Sequence, residues 1–197
     1  MYSFRIEQAI RAAAVLHKDQ VRKGEMPYPY ITHLVAVAFI LHDYTEDEDV
    51  IVAALLHDTV EDTDYSLAEL QEDFGGSVRD LVEALTEPSA TNKKELTWKE
   101  RKKAYLKQLR DAPDEAVLIM AADKAHNMRT VVEAYYDETD RFLKEFSGSL
   151  EERLEQYQDI ANLVNRRFKD GIVHEFNHVF NEYKQFIQYA QAVDKSI

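Results

Sequence analysis

One stretch constrains this chain more than any other. It runs from Ala53 to Asp64 and reads Ala-Ala-Leu-Leu-His-Asp-Thr-Val-Glu-Asp-Thr-Asp. An apolar run delivers His57 and Asp58 side by side, and Glu61 and Asp62 follow one turn later. Helical residues four apart share a face. A helix through this stretch therefore stacks His57 over Glu61 and Asp58 over Asp62. The pattern Thr45-x-x-Glu48 reads as a capping box and predicts a helix over about 46–60. Asp58, Glu61, Asp62 and Asp64 then fall near its C-terminal end, where the helix dipole disfavours carboxylates. A bound cation would repair that imbalance. A frayed, solvated acidic helix end explains the same residues without one.

The rest of the composition narrows the fold. The chain has 197 residues, 45% of them hydrophobic, which is enough for one globular domain with a proper core. With only 5 Gly and 4 Pro among abundant helix formers, it should be all-α. The expectation is a single helical bundle of about eight to ten helices spanning residues 1–197. Cysteine is absent, which rules out disulfides, thiolate metal sites and cysteine nucleophiles. No signal peptide or membrane-length apolar run is visible, and the cytoplasm is the expected location. A net charge of −13 argues against nucleic-acid or anionic-membrane partners. Local positive charge still allows an anionic small substrate. Arg22-Lys23 is one such place. In segment 93–110, Lys93, Lys94, Lys99, Arg101, Lys102, Lys103, Lys107 and Arg110 face only Glu95 and Glu100. A solvated helix face would account for that run equally well.

Periodicity and turn residues divide the chain further. Residues 4–20 read as an amphipathic helix with His17 on or beside its apolar stripe. Gly24, Pro27 and Pro29 make 21–30 a loop, and its cations and tyrosines suit either a base with phosphates or simple surface anchoring. A strongly apolar helix over 31–42 carries His33 in its first turn. Ser66-x-x-Glu69 caps a short helix that Gly75-Gly76 ends, and Ser77 can cap the next. Glu87 to Lys94 reads as a polar linker, after which Thr97-x-x-Glu100 starts the basic helix, ending near Asp111–Pro113. From Asp114 a buried helix presents Asp123, Lys124, His126 and Asn127 after an apolar run. An acid so placed needs a partner, with Lys124 or Arg129 the structural choices. Residues 137–146 read as a further amphipathic stretch broken at Ser147-Gly148. Ser149-x-x-Glu152 then caps a helix carrying Arg153 and Tyr157, and a last helix spans about 171–192. His174 and His178 stand four apart in that last helix, but aromatic residues at this spacing usually mean packing.

Collected, the ligand-type residues are His33, His57, Asp58 and Asp123, on three helices and each beside an apolar run. Two imidazoles and two carboxylates suit manganese, iron or zinc. Such a metal polarises water and phosphoryl oxygen. Glu61 and Asp62 could then handle the proton of an attacking water, and nearby cations would neutralise phosphates.

These residues carry a resemblance. The chain resembles the HD-domain metal-dependent phosphohydrolases, whose pattern is H…HD…D. It is more closely similar to the hydrolase domain of RelA/SpoT proteins and to the small alarmone hydrolases. The matching words begin with His17-Lys-Asp-Gln20-Val-Arg22-Lys23 and Ile31-Thr-His33, preceded by Tyr30. They continue with Ala53 through Thr63, Phe74-Gly75-x-x-Val78, and Ala122-Asp123-Lys-Ala-His-Asn127-Met-Arg129-Thr130. The similarity spans about residues 3–165, and Pro29 departs from the usual loop before the first ligand histidine. The resemblance implies that His33, His57, Asp58 and Asp123 bind one metal, usually Mn²⁺. Glu61 and Asp62 would be the catalytic pair. Arg22 and Lys23, with Asn127 nearby, would contact base and sugar. Lys102, Arg153 and Tyr157 would approach the phosphates. The implied reaction removes the 3′-pyrophosphate of (p)ppGpp or a related alarmone. A phosphatase acting on another phosphorylated nucleotide, such as NADPH or (p)ppApp, is the alternative enzyme. A nucleotide-binding HD module without turnover is the alternative of a different class, and the intact Glu61-Asp62 pair argues against it. The sequence assigns no oligomeric state.

Overall fold

Side-chain caps decide where several helices begin. Ser3 accepts a hydrogen bond from the Ile6 N–H and starts α1 (Phe4–Leu16). Ser66 and Thr97 form full capping boxes with Glu69 and Glu100, starting α5 (Leu67–Phe74) and α7 (Trp98–Asp111). The remaining helices are α2 (Ile31–His42), α3 (Glu48–Leu56), α4 (Thr59–Asp62), α6 (Gly76–Leu85), α8 (Asp114–Asp137), α9 (Leu150–Arg167) and α10 (Ile172–Asp194). This computed structural model describes residues 2–22, 27–88, 90–91, 94–137 and 150–194. Among the described residues the fold is all-α. One small antiparallel hairpin, β1 (Ala90–Thr91) with β2 (Lys94–Glu95), occupies the expected linker.

Several boundaries differ from the pattern in the sequence, each for a local reason. Asp47, not Thr45, caps α3: its carboxylate takes the Asp49 N–H at 2.9 Å, while the Thr45 hydroxyl takes the Asp47 N–H. The expected helix over 46–60 is broken at His57-Asp58. There the buried Thr59 hydroxyl donates to the Leu56 carbonyl at 2.6 Å and closes α3. Glu61 and Asp62 therefore belong to a separate one-turn helix, and only Asp58 stays beside the carboxyl end of α3. Of these carboxylates only Asp58 meets the unfavourable end of the α3 dipole. The first helix stops at Leu16, and the chain turns so that the Gln20 amide reaches the Asp62 carbonyl at 2.8 Å. Gly75, at φ +92°, makes the sharp entry to α6, so Ser77 lies inside the helix and caps nothing. The stretch expected over 137–146 and the cap expected at Ser149 lie outside the described residues, apart from Asp137 at the end of α8.

The core sits around α3 and α8. Every residue from Val50 to Leu56 is buried, and α3 packs against α1, α2, α6 and α8. The run Ala116, Val117 and Ile119 to Ala122 is fully buried, and α8 also packs against α2, α6, α9 and α10. Truncating one such leucine, Leu55 for example, would cost about 2–5 kcal/mol. Polar clamps fix the frame. Arg5 reaches across from α1 to Glu48, Asp49 and the Phe74 carbonyl. Arg167 of α9 binds Asp114 and the carbonyls of Arg110 and Ala112, holding the joint between α7 and α8. The first turn of α2, the end of α3 and the middle of α8 thereby converge on one point.

Candidate metal centre and active site

That point is a buried imidazole–carboxylate cluster. His33, His57 and Asp123 are each 5% exposed or less, a placement polar groups tolerate only with partners. His33 Nε2 lies 3.2 Å from Asp123 Oδ1 and 3.8 Å from Asp58 Oδ2. His57 Nε2 mirrors it, 3.2 Å from Asp58 Oδ2 and 3.8 Å from Asp123 Oδ1. One ligand atom each from His33, His57 and Asp58 lies within 4.8 Å of the other two. These three could hold a metal ion, and Asp123 faces the same histidine nitrogens.

The hydrogen bonds fit a cation better than they fit a closed ion pair. His57 Nδ1 donates to the Ala54 carbonyl at 2.7 Å, and its Nε2 is buried with no hydrogen bond. A bare, buried imidazole nitrogen aimed between two carboxylates is the donor set a divalent cation requires. Asp123 is fixed on both sides, by Lys124 at 2.6 Å on Oδ2 and by the Asn127 amide at 2.5 Å on Oδ1. Lys124, rather than Arg129, is thus the partner of Asp123. Arg129 pairs instead with Glu175 at 2.7 Å. Tyr30 donates to Asp58 Oδ2 at 2.7 Å.

Electrostatics repeat the point. Burial would lower the His57 pKa, but the Asp58 and Asp123 carboxylates outweigh it and lift the imidazole to about 9. Two carboxylates facing one buried imidazole favour positive charge in the cluster. Burial likewise opposes ionisation of Asp123, and Lys124 with the two imidazoles overcomes it, holding the carboxyl well below its usual range. His33 is shifted down, chiefly by burial. Glu61 and Asp62 are both raised, first by burial and then by neighbouring carboxylates, against which the Glu87 N–H donates to Glu61. Two carboxyls that hold protons unusually well, beside a ligand cluster, suit proton transfer.

The expected substrate-side residues divide. Arg22 donates to Asn127 at 2.8 Å and to Thr130 at 3.1 Å, and lies over the Tyr30 ring. Beside it Val21 makes an isolated antiparallel bridge to Pro29, and the Arg22 N–H donates to the Tyr28 carbonyl. Pro29 is thus accommodated. Lys23 lies outside the described residues. Lys102 is ion-paired with Glu87, whose N–H holds Glu61, so it connects to the cluster in two steps. Tyr157 is partly buried against Tyr183 and within electrostatic reach of Lys124 and Asp123. Arg153 precedes it by one turn of α9. Elsewhere on the basic helix Lys99, Lys103, Lys107 and Arg110 are exposed and Arg101 is half-buried. His174 and His178 are exposed too, and His178 meets Glu182 at 3.5 Å.

A family model described as an HD domain matches residues 9–148. The chain belongs to the HD-domain family. Within it, the similarity runs to SpoT-type proteins. The bifunctional (p)ppGpp synthase/hydrolase SpoT of Escherichia coli is 37% identical over 145 residues, 72% of this chain. This chain spans only about a fifth (20%) of that protein. The guanosine-3′,5′-bis(diphosphate) 3′-pyrophosphohydrolase MESH1 of Homo sapiens is 36% identical over 178 residues, covering 86% of this chain and 91% of the relative. A solved structure of a metazoan ortholog of SpoT, described as hydrolysing ppGpp, superposes with a TM-score of 0.75. It has 26% identity and covers 92% of this chain and 97% of its own.

Three participants were not foreseen in the sequence. Tyr30 stood out as a loop aromatic but gave no sign of reaching Asp58. His126 was visible beside Asp123, yet its partner His33 is brought to it by the packing of α8 against α2. Glu87 looked like a linker residue, and nothing in its neighbourhood signals that it bridges Lys102 and Glu61.

Proposed function

We propose that this protein is a single-domain, metal-dependent phosphohydrolase that removes the 3′-pyrophosphate of (p)ppGpp or a closely related alarmone in the cytoplasm. Mn²⁺ is the proposed metal, held by His33, His57, Asp58 and Asp123. The observation that carries the reading is His57 Nε2, buried without a hydrogen bond and set between Asp58 and Asp123, with the carboxylate pair Glu61 and Asp62 alongside.

A divalent cation in the cluster supplies Lewis acidity toward water and phosphoryl oxygen. The chain's own residues do the rest. Glu61 and Asp62 take the proton of the attacking water and return it to the departing ribose 3′ oxygen. The water oxygen bonds to the adjacent phosphorus as the bond to the 3′ oxygen breaks, releasing pyrophosphate and leaving the nucleoside 5′-diphosphate, or the 5′-triphosphate from pppGpp. Arg22 stacks over Tyr30 and, with Asn127 and Lys23, takes the base and ribose. Lys102, Arg153 and Tyr157 take the phosphates, Lys102 exchanging its Glu87 partner for phosphate oxygen.

A hydrolysis panel of ppGpp, ppApp, NADPH and nucleoside monophosphates with Mn²⁺, read by which bond is cut, tests the reading. Pyrophosphate release from ppGpp is expected. Release of orthophosphate from NADPH alone would overturn the substrate assignment.

A further inference from the structure

His126 is not among the expected ligands, yet it touches one of them. Its Nδ1 lies 2.9 Å from His33 Nδ1, with the ring centroids 4.8 Å apart. Two imidazole nitrogens at that distance share one proton, so one ring donates and the other accepts. The far nitrogen of His33, Nε2, faces Asp123 and Asp58. An imidazole nitrogen can hold a cation only with its lone pair free. With His33 Nε2 bare, the ring proton must sit on Nδ1, and His126 Nδ1 must accept it.

On the reading that this cluster holds a divalent cation, we propose that His126 is a positioning residue: its Nδ1 accepts the His33 Nδ1–H and so keeps His33 in the tautomer with Nε2 free. His57 solves the same problem through the main chain, because the Ala54 carbonyl can only accept. The two histidines are therefore supported unequally. A carbonyl enforces one tautomer, whereas an imidazole must itself be in the right one. His126 follows Asp123 by three residues on α8, so one helical face carries both a cluster carboxylate and the support of a cluster imidazole.

The wild-type protein, loaded with Zn²⁺ as a diamagnetic probe, should show His33 protonated at Nδ1 in ¹⁵N spectra. His126 should be unprotonated at Nδ1, with a coupling between the two nitrogens across the hydrogen bond. Mn²⁺ titrations of variants give a second readout that needs no turnover. H126L should bind about 10–100-fold more weakly, as loss of such support commonly does. H126N, which keeps an acceptor oxygen near the Nδ1 position, should stay close to wild type. A proton on His126 Nδ1, wild-type affinity in H126L, or equal loss in both variants overturns the proposal while leaving the metal reading intact. Wild-type protein that binds neither Mn²⁺ nor Zn²⁺ overturns both. The spectra are read on the unaltered chain, so a variant that fails to fold does not remove the test.

Discussion

The imidazole–carboxylate cluster and the basic helix α7 both concentrate charge, but in opposite surroundings. His33, His57 and Asp123 sit in the interior at the ends of apolar runs, and each is tied to a named partner. Most cations of α7 lie in water, and only Lys102 is drawn toward the cluster, through Glu87. In water an ion pair is worth little, whereas buried charges are retained only with full compensation. The cluster thus marks chemistry by where its few charges sit. The helix, with more charges, contributes one.

The largest effect should follow from breaking the buried half. Asp123→Ala leaves Lys124 without its counter-charge, so stability should fall by about 3–5 kcal/mol in denaturant unfolding, and Mn²⁺ binding should be lost. Unchanged stability would mean that the pair is far better solvated than its burial implies.

Glu61→Gln should come next. It should lower kcat by about 10²–10⁴-fold while Mn²⁺ affinity stays unchanged. Glu61 and Asp62 hold their protons above the ordinary carboxylate range, so wild-type activity should fall on the acid side at a higher pH than free carboxylates would give. The sign for stability is opposite. A raised carboxyl favours folding below its unfolded pKa, and that contribution is lost as pH rises through the folded value. At neutral pH, Glu61→Gln should therefore unfold at a slightly higher temperature than wild type. A variant both inactive and less stable at neutral pH would contradict this placement.

Smaller effects separate the two kinds of cation. Lys102→Ala should lower kcat/KM about tenfold, the order of one charge-assisted hydrogen bond. Arg22→Ala should raise KM and leave metal affinity alone. Lys103→Ala, on the exposed face, should change stability by no more than about 0.5 kcal/mol and kcat/KM hardly at all. Equal losses at Lys102 and Lys103 would erase the distinction between the two faces of α7.

Although Thr45-x-x-Glu48 misled because Asp47 caps α3, the capping boxes at Ser66 and Thr97 were legible in the sequence, each meeting its glutamate three residues on. So was the cluster, since His33, His57-Asp58 and Asp123 each end or interrupt an apolar run that must be buried. The break at His57-Asp58 was not. It depends on which carbonyl the Thr59 hydroxyl captures, and a helical pattern does not register that choice. The supports of the cluster were hidden for a similar reason. Tyr30 to Asp58 and His126 to His33 span 28 and 93 residues, and only tertiary packing brings them together.

The most direct test is a Mn²⁺ titration of metal-stripped protein, following bound metal and pyrophosphate release from ppGpp in the same samples. Release should rise in step with occupancy of one site, and Asp58→Ala should show neither. Full-rate hydrolysis by the metal-stripped protein would contradict the central claim that this buried cluster works by holding a cation.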